Sequence, residues 1–139
     1  MRVGIAGYGV VGKTRHASIS KNTSFQIVAV SESNKEAQKN IPAEVEIFDS
    51  YKDLISDADI DIIFISLPNK FAADATSLSL KKGLHVFCEK PPAKTLSELM
   101  SIKEISIQNP NLKLMYGFNH RFHSSVEEAK TIIDRNTLG

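Results

Sequence analysis

The 139-residue chain has the length of one ordinary domain, and its 42% hydrophobic and 24% charged content is that of a folded protein in water. Seventeen basic against sixteen acidic side chains leave a formal charge of +1, which recommends neither nucleic acid nor an anionic membrane as a partner. A single cysteine, Cys88, excludes an internal disulfide and, with no leader-like or membrane-spanning apolar stretch, sets the expected location as cytoplasmic.

The first predicted strand, Arg2–Ala6, runs into Gly7-Tyr8-Gly9-Val10-Val11-Gly12 and then into a helix predicted over Val10–Lys21. Strand, glycine turn and helix in that order give a G-x-G-x-x-G match its meaning. Gly7 permits the tight turn, Gly9 admits a diphosphate to the backbone, and Gly12 lets the helix pack close to the strand. Gly7, Tyr8, Gly9, Val10 and Val11 are therefore candidate cofactor contacts. The next strand, Gln26–Val30, precedes Glu32, twenty positions beyond Gly12, where a carboxylate can accept both adenosine ribose hydroxyls. This favours NAD; NADP stays possible because Lys35 is close enough to offset part of the repulsion.

A short helix, Asn34–Lys39, leads to a strand at Val45–Phe48 and a helix at Tyr51–Ser56 with Ser50 as its N-cap. The strand Asp61–Ser66 contains Ile62-Ile63-Phe64-Ile65, a continuous apolar run that reads as buried on both faces. It ends in Ser66-Leu67-Pro68-Asn69, candidate cofactor contacts. Asn69 has two readings, a cofactor contact or the N-cap of the helix predicted over Phe71–Lys82, which Lys81-Lys82-Gly83 closes.

The strand His85–Phe87 delivers Cys88-Glu89-Lys90-Pro91-Pro92 to the carboxyl end of the sheet, where open α/β sheets bind ligands. Glu89 can accept from a nicotinamide ribose, and Lys90 can reach a substrate hydroxyl and exchange a proton with it. The plain alternative is a surface Glu-Lys pair before a proline turn. Thr95 and Glu98 form a capping box opening the helix Leu96–Gln108, and Lys113–Tyr116 is the sixth strand. Beyond Tyr116-Gly117-Phe118-Asn119, a helix is predicted from about Ser125 to Asp134, capped by Ser125 with Glu128 or by Ser124 with Glu127. It carries Val126, Ala129, Ile132 and Ile133 on one face. His120 and His123 lack companions for a metal site, His16 reads as packed or solvated, and Cys88 as a buried, inert thiol. The alternation of strands and helices predicts a doubly wound parallel α/β sheet, the Rossmann arrangement.

With these motifs together, the chain resembles the glucose–fructose oxidoreductase / inositol dehydrogenase family of NAD(P)-dependent dehydrogenases. The carrying segments are the glycine turn, Val28-Ala29-Val30-Ser31-Glu32, Leu67-Pro68-Asn69, Gly83 to Pro91, and Gly117-Phe118-Asn119-His120-Arg121-Phe122. The resemblance implies hydride transfer between a secondary alcohol of a sugar, cyclitol or nucleotide-sugar substrate and a nicotinamide. It implies that Lys90 is catalytic, that Glu89 holds cofactor ribose, that Asn119 lies near the nicotinamide, and that the full-length protein is a homo-oligomer. Ala72 departs from the histidine that many relatives carry there.

Family members are more than twice this length. Residues 1–118 therefore read as the dinucleotide-binding domain and 119–139 as the first helix of a truncated α/β substrate domain, a piece expected to bind cofactor without turning over a sugar. The competing functions are a non-catalytic dinucleotide sensor, which has no use for Lys90, and a methyltransferase, against which the Glu-Lys-Pro element counts.

Overall fold

The computed structural model describes residues 1–136, so residues 137–139 of the expected second unit lie outside the described residues. Six strands form one parallel sheet: β1 (Arg2–Ala6), β2 (Gln26–Ser31), β3 (Glu46–Phe48), β4 (Ile62–Ile65), β5 (His85–Cys88) and β6 (Leu114–Tyr116). Their order is β3-β2-β1-β4-β5-β6, every pairing is parallel, and the chain reverses direction across the sheet after β3. This is the doubly wound Rossmann arrangement, with its ligand crevice where β1 and β4 separate the two halves.

Burial on both faces explains the apolar strands. On β1, Val3 and Ile5 face one core with Tyr8, Ile19 and Val30, while Ala6 faces the other with Leu54, Ile63, Ile65, Leu80 and Val86. Side chains alternate across a strand, so a sheet covered twice must be apolar at consecutive positions. The second core is covered by α3 (Tyr51–Asp57), α4 (Asn69–Lys82) and α5 (Leu96–Gln108); the first lies under α1 (Val10–Ile19) and the segment that includes α2 (Lys35–Gln38). Leu54 is fully buried, and Leu54→Ala is expected to lower stability by ~2–5 kcal/mol, read as a lower urea midpoint at unchanged m.

Most of the expected helix ends form. The Ser50 side chain accepts from the Lys52 amide at 3.1 Å, Thr95 and Glu98 make the reciprocal capping box, and Gly83 closes α4 at φ 90° behind Lys81 and Lys82. Asn34 caps α2 by accepting from the Glu36 and Ala37 amides.

Two expected caps do not form. The N-cap of α4 is Pro68, whose carbonyl accepts from Phe71 at 2.9 Å, so Asn69 is already the first helical residue and makes no side-chain cap bond. Proline's fixed φ, here −55°, begins the turn two residues before the predicted start. The last helix, α6 (Ser124–Asp134), follows a 3₁₀ turn over Asn119–Phe122 and has His123 at its N-cap. Ser124 is therefore inside the helix, and neither serine frame closes a cap. Every residue from 118 to 136 is exposed, including Val126 and Ile133 on the apolar face. No helix among the described residues is long and apolar enough to cross a membrane.

Candidate functional site

Strand register aligns the site. Ser31 pairs with Phe48 and with Ala6, Ala6 with Ile65, Ile65 with Cys88, and Cys88 with Tyr116. The next residue of each strand is, in sheet order, Asp49, Glu32, Gly7, Ser66, Glu89 and Gly117. Backbone bonds extend the ladder into this row. Glu32 N donates to Phe48 O (2.9 Å), Gly7 N to Ser31 O (3.0 Å), Ser66 N to Ala6 O (2.8 Å), Glu89 N to Ile65 O (2.9 Å) and Gly117 N to Cys88 O (2.9 Å). Candidates from four separate segments thus stand side by side along the carboxyl edge.

The glycine turn occupies the middle of the row. Gly7 has φ +87°, and a Cβ there would lie 2.8 Å from the Ser66 carbonyl oxygen. A Cβ on Gly12 would collide with the Gly7 carbonyl, so α1 approaches β1 as closely as backbone allows. In front of Gly9 the space is open, and no side chain caps α1. Its first amides, with the positive end of the helix dipole, therefore face that opening, an arrangement suited to a diphosphate. Ser66 Oγ is buried without a hydrogen-bond partner among the described residues, which leaves a donor and acceptor beside the turn.

Glu32 is held in place by backbone. The Tyr8 amide donates to its Oε2 at 3.2 Å and the Asn34 amide to its Oε1 at 2.9 Å. It lines a cavity of about 470 Å³ together with Gly7, Gly9, Ser33, Asp49, Leu67 and Pro68. Tyr51 and Phe71 close one side, with ring centroids 5.8 Å apart. The Tyr51 hydroxyl donates to Asp74 at 2.7 Å, and burial together with that carboxylate pushes its pKa up to about 12. An apolar, aromatic wall beside a carboxylate suits a purine and its ribose. Sequence reading missed Tyr51, Phe71 and Asp49, because nothing in their spacing marks them; the signal available was their place directly after β3 or at the start of α4.

Glu89 is also held, by a residue that sequence reading passed over. Arg15, on α1, donates from Nε to Glu89 Oε1 at 2.6 Å, and its second guanidinium nitrogen pairs with the same oxygen. The guanidinium lies 5.0 Å from the centre of the Phe87 ring, and the two charged side chains are only 21% and 15% exposed. Gly117 makes room for the other oxygen, since a Cβ there would sit 2.9 Å from Oε2. Lys90 follows at the exposed edge, and Asn119 lies two residues beyond Gly117, also exposed.

Other candidates turn away from the edge. The Tyr8 ring is buried and its hydroxyl bonds His16 Nδ1 at 2.9 Å, so Tyr8 offers the site only backbone, and that amide is engaged by Glu32. Burial holds His16 below the usual imidazole range. Cys88 is buried, and its thiol is pushed up to about 11, chiefly by desolvation, which makes it a poor nucleophile. The rings of His120 and His123 stack at 5.0 Å, and no group of three or more metal-ligating side chains occurs among the described residues.

Residues 1–118 match a family model described as an oxidoreductase family with an NAD-binding Rossmann fold. The whole chain aligns at 28% identity with 43% of inositol 2-dehydrogenase of Salmonella typhimurium (strain LT2). It aligns over 98% of its length, at 32% identity, with 40% of the uncharacterized oxidoreductase YrbE of Bacillus subtilis (strain 168). Among solved structures, scyllo-inositol dehydrogenase from Lactobacillus casei, with bound NAD(H) and scyllo-inositol, is 30% identical. It superposes with a TM-score of 0.88 over 100% of this chain and 42% of its own. The chain thus spans about two-fifths of the length of the relatives it matches.

Proposed function

Because this chain belongs to the oxidoreductase family with an NAD-binding Rossmann fold, we propose that it is the cofactor-holding part of a dehydrogenase acting on a secondary alcohol of a cyclitol or sugar. The row of residues along the carboxyl edge carries this reading, because it supplies in one line what the two halves of a dinucleotide and a reacting hydroxyl require.

The residues divide the work by position. The open amides at Gly9, Val10 and Val11 receive the diphosphate, and Ser66 Oγ gains a partner beside it. Glu32, fixed by the Tyr8 and Asn34 amides, accepts the adenosine ribose hydroxyls, while Tyr51, Phe71, Leu67 and Pro68 wall the base. Asn69, free of any capping duty, is available to the cofactor. Across Gly7, Arg15 keeps Glu89 oriented toward the nicotinamide ribose. When bound, the nicotinamide supplies the acceptor for a hydride from the alcohol carbon. Lys90 holds the substrate oxygen by donating from its ammonium, which stabilises the negative charge that develops there as the hydroxyl proton passes to a base outside the described residues, and Asn119 lies beside the nicotinamide.

Two expectations test this. NAD should bind at least ~tenfold more tightly than NADP, because a 2′-phosphate dianion would stand against the Glu32 carboxylate in a part-enclosed cavity. Calorimetric titration with each nucleotide decides it, and tighter NADP binding would remove Glu32 from its role. The chain by itself should bind NAD yet reduce none of it when offered cyclitols and sugars, because Lys90 and Asn119 lie on an open edge with nothing to enclose a substrate among the described residues. Absorbance of NADH reads this directly, and turnover would show that the described residues already hold the whole apparatus.

A further inference from the structure

Asp49 stands next to Glu32 in the row, as the first residue beyond β3. It lines the same cavity, so the adenosine end carries two carboxylates rather than the one that the glycine motif leads one to seek. Its Oδ1 accepts from Lys35 Nζ at 2.5 Å and from Gln38 Nε2 at 2.7 Å. Gln38 Nε2 is bound in turn to the Glu32 carbonyl at 2.6 Å, which ties Asp49 to the segment that bears Glu32. Lys35 is the cation that follows the ribose-binding acid most closely in the chain, three residues after Glu32, and the natural side chain to receive a 2′-phosphate. Its ammonium points instead into Asp49. These hydrogen bonds also hold the Asp49 carboxyl below its ordinary range, so it stays charged throughout the neutral pH range.

We propose that Asp49 is a specificity-determining residue for the cofactor: it draws Lys35 away from the ribose and so removes the cation that would otherwise admit a 2′-phosphate. The inference rests on the cofactor reading above and extends it from Glu32 to a second carboxylate acting through a lysine. It rejects NADP in two ways. Its own charge faces the cavity, and the lysine that would offset Glu32 is engaged elsewhere. The pair is exposed, with side chains 69% and 63% accessible, so its effect is graded and falls as salt rises.

The test is a double-mutant cycle read as the ratio of NADP to NAD dissociation constants by calorimetry at low ionic strength. The four proteins are the unaltered chain, D49N, K35A and D49N/K35A, each also prepared with E32Q to bring NADP affinity into range. D49N keeps a group that can bond Gln38 but loses the charge. It is expected to lower the ratio about fivefold. K35A alone should leave the ratio within about twofold, whereas K35A added to D49N should return at least half of the change on a logarithmic scale. The contribution of Lys35 thus emerges only once Asp49 is neutral, a dependence that a merely structural role for Asp49 would not produce. An unchanged ratio in D49N overturns the inference, as does a Lys35 contribution of equal size in both backgrounds. Failure of the unaltered chain to bind NAD at all would overturn the cofactor reading itself, and is seen before any variant is compared.

Discussion

Gly12→Ala is expected to abolish measurable NAD binding and to lower the stability of the fold by about 3 kcal/mol or more. The added methyl would meet the Gly7 carbonyl, which is backbone and cannot rotate aside. Either α1 backs away from β1 or the Gly7 turn opens, and both outcomes move the amides of Gly9 to Val11 off the position proposed above for the diphosphate. Urea denaturation measures the first effect and calorimetry with NAD the second. Retention of NAD affinity within twofold would mean that the turn is a packing device only.

On the dehydrogenase reading proposed above, Lys90→Ala in the whole protein, assayed against a panel of cyclitols and sugars, should lower kcat by about 10²- to 10⁴-fold, the range for loss of a positioned catalytic group. NAD affinity should stay within a few fold, because the role proposed for Lys90 is on the reacting hydroxyl and Lys90 lies far from the Glu32 cavity in sheet order. A fall in affinity matched by unchanged kcat would reassign Lys90 to cofactor binding alone. Steady-state kinetics beside an equilibrium titration separates the two.

Local and periodic features were legible in the sequence. Six strands appear within a residue or two of their expected bounds, because a sheet buried on both faces writes itself as short apolar runs such as Ile62 to Ile65. The glycine turn was legible because each glycine answers a separate steric demand at fixed spacing. Pairings between distant charges were not. Arg15 meets Glu89 across 74 positions, and no spacing rule connects a helix's second turn to the end of the fifth strand. Asp49 was hidden for the same reason, since its meaning comes from the register that sets β3 beside β2. Local chemistry also failed where two signals competed, as at Asn69, which has the composition of a cap but follows a proline that caps first.

The bond between Arg15 and Glu89 bears on how such a chain can drift. Each partner is largely shut off from water, so losing either alone strands the other's charge at a cost on the order of 3–5 kcal/mol, while replacing both with fitted apolar groups can be close to neutral. Positions 15 and 89 are therefore expected to change in concert or not at all across descendants of this sequence. The segment that ends in Lys90 is for the same reason not portable by itself. Grafting it onto another nucleotide-binding scaffold would import a carboxylate without its counter-charge, unless the first helix travelled with it.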